Sequence, residues 1–388
     1  MSALRVLHLT RDLPPATKGG ISTAVHGLAR ASAGFGIEAA VASFDAWRPL
    51  ARAHARGAQA APAEERGLRV LRLHGPGDLP ALAPFAEAFR PDLLHVHHGM
   101  LWEAATGLRA RLGVPALKTV HVLQAELQRQ RRVLRAGTNL SLAAQRRAVE
   151  EADAVHVPCA DAARSLLRDH PRAEGRLHVL GFGLEDSEAA RRAAARERPF
   201  APRLLYAGRF AEVKGTGELL SAWPAVAGRV PGARLCLAGG LPGNRQGERR
   251  FRRRTAEREA AATGLEWPGW LAPEALAEEM ARAELLCCPG WFETFDQSLL
   301  EGMLHGLPAV ATAAGGHLEL VADGITGLLV PPREPAALAE ALGALLGQPA
   351  LARRLGRAAA DQARRRWLWE RLGGAWGALY AAAVGRRP

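Results

Sequence analysis

Short apolar runs alternate along this chain with longer segments rich in Ala, Leu and Arg that repeat at helical period. The first runs are RVLHL (5–9), EAAVASF (38–44), RVLRL (69–73), DLLHVH (92–97), ALKTVHV (116–122), AVHVP (154–158) and RLHVLGFG (176–183). A short run that is apolar on both faces suits a strand buried in a parallel sheet, and the segment after it suits the crossover helix that parallel strands require. The alternation therefore dictates α/β architecture. It lapses over LEDSEAARRAAARERPFAP (184–202) and restarts with RLLYAG (203–208), RLCLAGG (234–240), LEWPG (265–269), LLCCPG (285–290), PAVAT (308–312) and GLLVPP (327–332). A length of 388 residues exceeds the size at which one core keeps growing, so two doubly wound domains are expected. Ligands in such sheets sit beyond the carboxyl ends of the strands, which makes a cleft between facing domains the default site.

Composition excludes several classes. The net charge of +12 is spread over both halves, and no aromatic-interleaved basic module accompanies it, so nucleic acid is not an expected partner. The clusters RQRR (129–132), RRRT (252–255) and RRRW (364–367) read as solvated helix faces. AELQRQRRVLRAG (125–137) is a basic amphipathic stretch suited to an anionic substrate or to weak peripheral contact with an acidic membrane. Cys159, Cys236, Cys287 and Cys288 lack C-x-x-C spacing and read as buried free thiols of a reducing compartment. MSALRVLHLT has no signal-peptide pattern, and no run reaches the ~18 apolar residues of a membrane span. A soluble, cytoplasmic protein is expected.

Familiar nucleotide fingerprints are missing: neither G-x-G-x-x-G nor G-x-x-x-x-G-K-[ST] occurs, and there is no D-x-D to hold a metal-bound donor. HVHH (95–98) sits at a strand end without a second cluster at ligand spacing, so no metal is expected. What remains is suited to phosphate. GRFAEVKG (208–215) follows a strand directly and sets Arg209 and Lys214 on a short connection into a helix. A guanidinium fork and an ammonium point charge suit a diphosphate. LPPATKGGIST (13–23) holds the matching place in the first half, where Gly19 and Gly20 let backbone N–H groups approach a ligand at a helix start. ETFDQSLLEGMLHG (293–306) carries Glu293 and Glu301 eight residues apart. A helix over 295–305 would aim its first N–H groups, from Phe295 to Ser298, at a diphosphate. Full helicity would separate the two carboxylates by ~12 Å along the axis, too far for a glycosidase acid and nucleophile.

Together, the GG pair, G-R-F-x-x-x-K-G, the spaced glutamates and GLPAVATAAGGHLELVADGITGLLVPP (306–332) resemble the retaining glycosyltransferases of family 4. The resemblance covers most of the chain and is most specific over 203–332. It implies the GT-B fold: two Rossmann-like domains facing each other across a cleft, residues 1–183 on the acceptor side and 201–365 holding the donor. Residues 184–200 would be the linker, and 366–388 a helix packing back toward the first domain. It further implies metal-independent transfer of a hexose-type sugar, with retention, from a nucleoside-diphosphate sugar to an acceptor hydroxyl or amine. Arg209 and Lys214 would contact the diphosphate, Glu293 the transferred sugar and Glu301 the ribose. Gly19 and Gly20 match the loop that closes on donor phosphate and acceptor, His121 the strand-end histidine that meets the sugar, and Gly315, Gly316 and Glu319 the second-domain loop.

The chain departs from the family at Asp296, where glycine is common and where a carboxylate would repel a diphosphate unless turned away. Gln297 and Ser298 replace aliphatic residues and suit hydroxyl recognition. Only three of 51 basic residues are lysine. Besides Lys214, Lys18 abuts the glycine pair and Lys118 precedes His121, so both are expected at an anionic donor or acceptor group, with His97 also on the acceptor side. The rival readings are a nucleotide-sugar epimerase or phosphorylase on the same fold, and a non-catalytic subunit of a glycosylation complex.

Overall fold

The structure, a computed structural model, describes residues 3–15, 19–45, 60–130, 138–240 and 245–385. The chain forms two compact units: Met1–Gly183 joined by Trp369–Pro388, and Leu184–Leu368.

The first unit is built on eight strands: β1 Leu4–Thr10, β2 Ile37–Ser43, β3 Pro62–Glu65, β4 Leu68–Arg72, β5 Leu93–Val96, β6 Ala116–Thr119, β7 Ala154–Val157 and β8 Leu177–Val179. Their order is β3-β4-β2-β1-β5-β6-β7-β8. All neighbours are parallel except β3 and β4. Val6, Leu7 and Leu9 of the central β1 are wholly buried, as a strand covered on both faces requires. Strand β3 carries no apolar signal, because PAEE is an exposed edge that needs only backbone pairing. Arg66 (φ 51°) and Gly67 (φ 78°) make the two-residue turn into β4, a geometry that favours hairpins. Arg72 clamps the hairpin through Nε to Glu65 at 2.8 Å.

The C-terminal helix Trp369–Ala383 completes this unit's core. Trp376 is fully buried and donates from Nε1 to Gly181 O at 3.2 Å. The helix approaches closely because its neighbours are small: a Cβ at Gly27 would lie 2.7 Å from Trp369 Nε1.

The second unit has six strands, β9 Arg203–Gly208, β10 Arg234–Gly239, β11 Leu265–Gly269, β12 Leu285–Cys288, β13 Ala309–Thr312 and β14 Gly327–Val330. They are all parallel, in the order β11-β10-β9-β12-β13-β14. Counted within the unit this is 3-2-1-4-5-6, the dinucleotide-fold order. Leu204, Leu235, Leu285 and Val310 pack from the sheet against Trp223 and Leu342 of the covering helices, and Trp223 satisfies its indole N–H on Thr263 O at 2.7 Å.

Residues 184–200, expected as a polar linker, belong to this second unit and carry a helix, Glu188–Ala194. Ser187 Oγ caps it, accepting from Ala190 N at 3.0 Å. Its buried face is alanine, so a helix with little apolar bulk still docks: a Cβ at Gly306 would lie 2.9 Å from Ala194 Cα. Among the described residues no helix is long and apolar enough to cross a membrane.

Candidate active-site residues in each unit

In the second unit strand order reverses at β9, whose neighbours are β10 and β12. Crevices open at such a switch point, and the loops after β9 and β12 border it. Both loops and the one after β13 are laced together. Trp291 N donates to Val213 O at 2.9 Å, Gly316 N to Glu293 O at 2.7 Å, and Thr312 Oγ1 to Gly290 O. Two glycines permit this. Gly215 (φ 68°) lies so close to Pro289 O, and Gly315 (φ 56°) to Glu293 O, that any Cβ would collide with the carbonyl. Close backbone approach thus accounts for Gly315 without a ligand, and Gly316 is likewise pressed against Thr294 and Phe295.

The lacing brings Lys214 onto Glu293, an ion pair between two largely buried side chains. Burial works against the lysine's charge, but the Glu293 and Asp296 carboxylates outweigh it and raise its pKa. Arg209 is exposed, and its guanidinium makes no hydrogen bond or ion pair among the described residues, while its backbone carbonyl accepts from Tyr206 Oη–H at 2.9 Å. The pair and the uncommitted guanidinium stand on adjacent strand ends, which suits an anionic ligand carrying a sugar.

Asp296 is engaged by the protein's own groups, which corrects its expected place as a donor contact. Oδ1 caps the helix Gln297–Leu304, accepting from Leu299 N at 3.1 Å, and takes a 2.6 Å hydrogen bond from Ser298 Oγ. Oδ2 lies 3.2 Å from His317 Nε2. Burial pushes this carboxyl up, but the His317 contact, the Lys214 charge and Ser298 prevail and hold it well below the usual carboxylate range. The expected anion site at this helix start is thus partly filled by the protein's own carboxylate. Ser298 is committed as well, with Oγ also 3.0 Å from Ala207 O. Gln297 differs: it is buried, and among the described residues neither amide atom finds a hydrogen-bond partner. Phe295 packs edge-on against Trp367 with ring centroids 5.7 Å apart. Glu301 is half-buried inside the helix; burial, then the Asp296 charge, push its carboxyl up to about 7. Glu319 is half-buried in the short helix His317–Leu320.

In the first unit Gly19 (φ 153°) precedes the helix Gly20–Ala31 in a conformation open to glycine, and Ser22 N and Oγ return to its carbonyl at 3.1 and 2.8 Å. Lys18 lies outside the described residues. Lys118 is a second correction. It is buried, with Nζ donating to Val96 O (3.3 Å), His97 O (2.9 Å) and Thr119 O (2.6 Å). An ammonium has three donors, and none remains for an anion. Burial without a carboxylate brings its pKa down to about 7.

His97, expected on the acceptor side, is also corrected. It is 2% exposed, and both ring nitrogens are engaged at 3.0 Å: Nε2 with His8 Nδ1 and Nδ1 with His121 Nε2. His121, two residues beyond β6, is buried, and its pKa is well below the ordinary value through burial first and then the charges of His98 and Lys118. It is therefore a neutral imidazole. Sequence reasoning passed over His8 and His156 and weighed His95 only as part of HVHH; all three occupy strands that otherwise read as plain apolar runs. Polar rings at the ends of successive buried strands were the available signal. Among the described residues two groups of potential ligand atoms occur, His8/His95/His97 and Cys288/Asp296/His317, the atoms of each group lying within 4.8 Å of one another.

Of the basic clusters, Arg129 is paired with Glu126 and Asp169, and Arg364 with Asp186. Residues 131–137 of the basic stretch lie outside the described residues. The four cysteines are buried and free.

Known proteins share both units. Residues 18–188 match the family model "Glycosyltransferase Family 4" and residues 201–348 the model "Glycosyl transferases group 1". A D-inositol 3-phosphate glycosyltransferase of Xylanimonas cellulosilytica is 30% identical over 337 residues, spanning 78% of this chain and 76% of its own length. The chain belongs to the family 4 glycosyltransferases. This glycosyltransferase is also 28% identical to a glycogen synthase of Mycobacterium tuberculosis over 298 residues, 76% of this chain and 70% of the relative. Sucrose-phosphate synthase from Thermosynechococcus elongatus shares its GT-B fold with a TM-score of 0.80 and 24% identity, covering 98% of this chain and 99% of that one. The Anabaena protein HepE, solved in complex with UDP-glucose, aligns with a TM-score of 0.72 and 18% identity over 98% of this chain and all of its own.

Proposed function

We propose that this glycosyltransferase moves a hexose-type sugar, with retention and without a metal, from a nucleoside-diphosphate sugar to an acceptor hydroxyl or amine. The observation that carries the reading is the Lys214–Glu293 pair beside the uncommitted Arg209 at the β9/β12 switch point. A diphosphate arriving there gains two cations, and the lysine it engages releases Glu293 toward the sugar. Relatives named for glycosyl transfer and a neighbour solved with UDP-glucose support a nucleotide-sugar donor.

The bond from the anomeric carbon to the diphosphate oxygen breaks, and its electron pair leaves with the diphosphate. Arg209 and Lys214 stabilise that charge, so the carbon gains oxocarbenium character without a metal. The acceptor oxygen or nitrogen bonds to the same face while a leaving phosphate oxygen takes its proton. No protein nucleophile is required. Glu301 holds the ribose hydroxyls, and the neutral His121 meets the transferred sugar.

A panel of nucleoside-diphosphate sugars tests this by thermal shift, since a donor that binds only the folded state raises its melting temperature. One class of donor should stabilise, and NMR of the product should show the donor's anomeric configuration kept. Inversion, a covalent adduct on Glu293, or stabilisation only in the presence of a divalent metal would overturn the mechanism.

A further inference from the structure

Four arginines line one cavity of about 160 Å3 in the second unit. Arg196 and Arg198 come from the segment between the helix Glu188–Ala194 and β9, and Arg353 and Arg357 from the helix Pro349–Arg366. Small residues leave the space open. Ala194, Gly306 and Ala352 line it, and Gly356 lets the second helix close on Gly306, where a Cβ would lie 2.1 Å from the carbonyl oxygen. Glu284 and Pro308, also in the lining, directly precede β12 and β13. The donor loops follow the same strands. A four-residue strand is about 13 Å long, so the cavity stands at the opposite edge of the sheet from the donor site.

Charge around the cavity is unbalanced. The lining carboxylates are Glu197 and Glu284, against four guanidiniums, which leaves two positive charges in excess. Glu284 is committed: Oε1 lies 2.8 Å from Arg198 Nη2 and accepts from Ala201 N at 3.3 Å. Three of the arginines also tie down backbone. Arg196 Nη2 donates to Ala283 O, Arg198 Nη2 to Arg282 O at 2.6 Å, and Arg353 Nη2 to Arg198 O at 2.6 Å. Their forks are not exhausted, for Arg196 Nη1 and Arg198 Nε are buried without a hydrogen-bond partner. Burial, then the Arg198 charge, lower the pKa of Arg196, as crowded like charges should. Arg357 is exposed and makes no hydrogen bond or ion pair among the described residues. It stands four residues from Arg353 on one helix face, a spacing at which like charges repel. Holding carbonyls explains three of the four arginines and gives Arg357 no task.

We propose that this cavity is a second anion site, separate from the donor site, which takes the phosphoryl group of inorganic phosphate or of a small phosphate monoester. A phosphate dianion matches the two unbalanced charges, and its oxygens suit guanidinium forks that can each engage two of them. Room is sufficient. At about 30 Å3 for each water, the cavity holds several waters or one phosphoryl group with part of its ester. The assignment does not depend on the donor reading, because no residue is shared between the two sites.

Isothermal titration of the full-length protein with inorganic phosphate and with ribose 5-phosphate tests the site, ionic strength being held constant with chloride. Arg209→Ala removes the exposed cation of the donor site, and saturable binding of one phosphate should persist in that variant. Adding Arg357→Ala should weaken it by about tenfold, as loss of one charge-assisted hydrogen bond does. Adding Arg357→Glu should abolish it. Because Arg357 ties down nothing, Arg357→Glu alone should keep the wild-type melting temperature and the stabilisation by donor, so a lost phosphate signal cannot come from unfolding. Equal affinity for the two probes would support the site with inorganic phosphate as its occupant, and tighter ribose 5-phosphate would support it with a monoester. No saturable binding above chloride in Arg209→Ala, or binding there that Arg357→Glu leaves unchanged, would overturn the proposal.

Discussion

At the scale of single residues, the site is governed by where charges find partners. Lys214 and Glu293 neutralise each other in the free protein, so removing one leaves the other poorly solvated. Lys214→Met should lower stability by about 1–3 kcal/mol, less than a wholly buried pair costs because the lysine keeps some solvent. Chemical denaturation measures this, and combining it with Glu293→Gln should recover part of the loss. Donor-induced stabilisation should vanish in both variants. Glu301 has an opposite character. Its carboxyl is pushed up to about 7, so between pH ~4.5 and 7 the folded state holds more protons than the unfolded one and stability falls as pH rises. A ribose hydroxyl donating to the carboxylate favours ionisation, so donor affinity should increase from pH 6 to 8. Glu301→Gln should flatten both trends; a donor KM profile that keeps its slope in the variant would assign it elsewhere.

At the scale of elements, loop positions rest on backbone approach. Gly215→Ala and Gly315→Ala would force a Cβ into a neighbouring carbonyl at positive φ, so each should reduce donor binding together with thermal stability. The same substitution at the open Gly228 should do neither. Asp296 is an element-level residue too: it caps its helix, and Asp296→Ala should cost about 0.5–2 kcal/mol in denaturant titrations without adding phosphate affinity. The sequence allowed two readings of this residue, a misplaced charge or a charge turned away. Only packing supplied His317, 21 positions later, as its partner. Local periodicity likewise revealed nearly every strand, since buried parallel strands advertise themselves by apolar content. It passed over β3, whose exposed PAEE carries no such signal, and it read the segment of the alanine-faced helix Glu188–Ala194 as polar interdomain linker.

At the scale of the molecule, the chain leaves the first unit and returns to it. Trp376 and Tyr380 from Trp369–Ala383 are fully buried in that unit. Truncation after Leu368 should therefore unfold the first unit while sparing the second, visible as one lost thermal transition with nucleotide-sugar stabilisation of the other retained. A truncated chain that keeps both transitions would show the helix to be dispensable. Apolar period and chain length were enough, by themselves, to specify two α/β units, because burial is a local property of each strand, and the ordered motifs G-R-F-x-x-x-K-G and E-x-x-x-x-x-x-x-E carried the resemblance to the glycosyltransferase family. Which charges stay available was decided only by tertiary structure. Lys118 and His97 look like ligand groups in the chain, yet one is spent on three carbonyls and the other on two histidines. A side chain's partners are set by strands that neighbour it in space, and no local pattern records them.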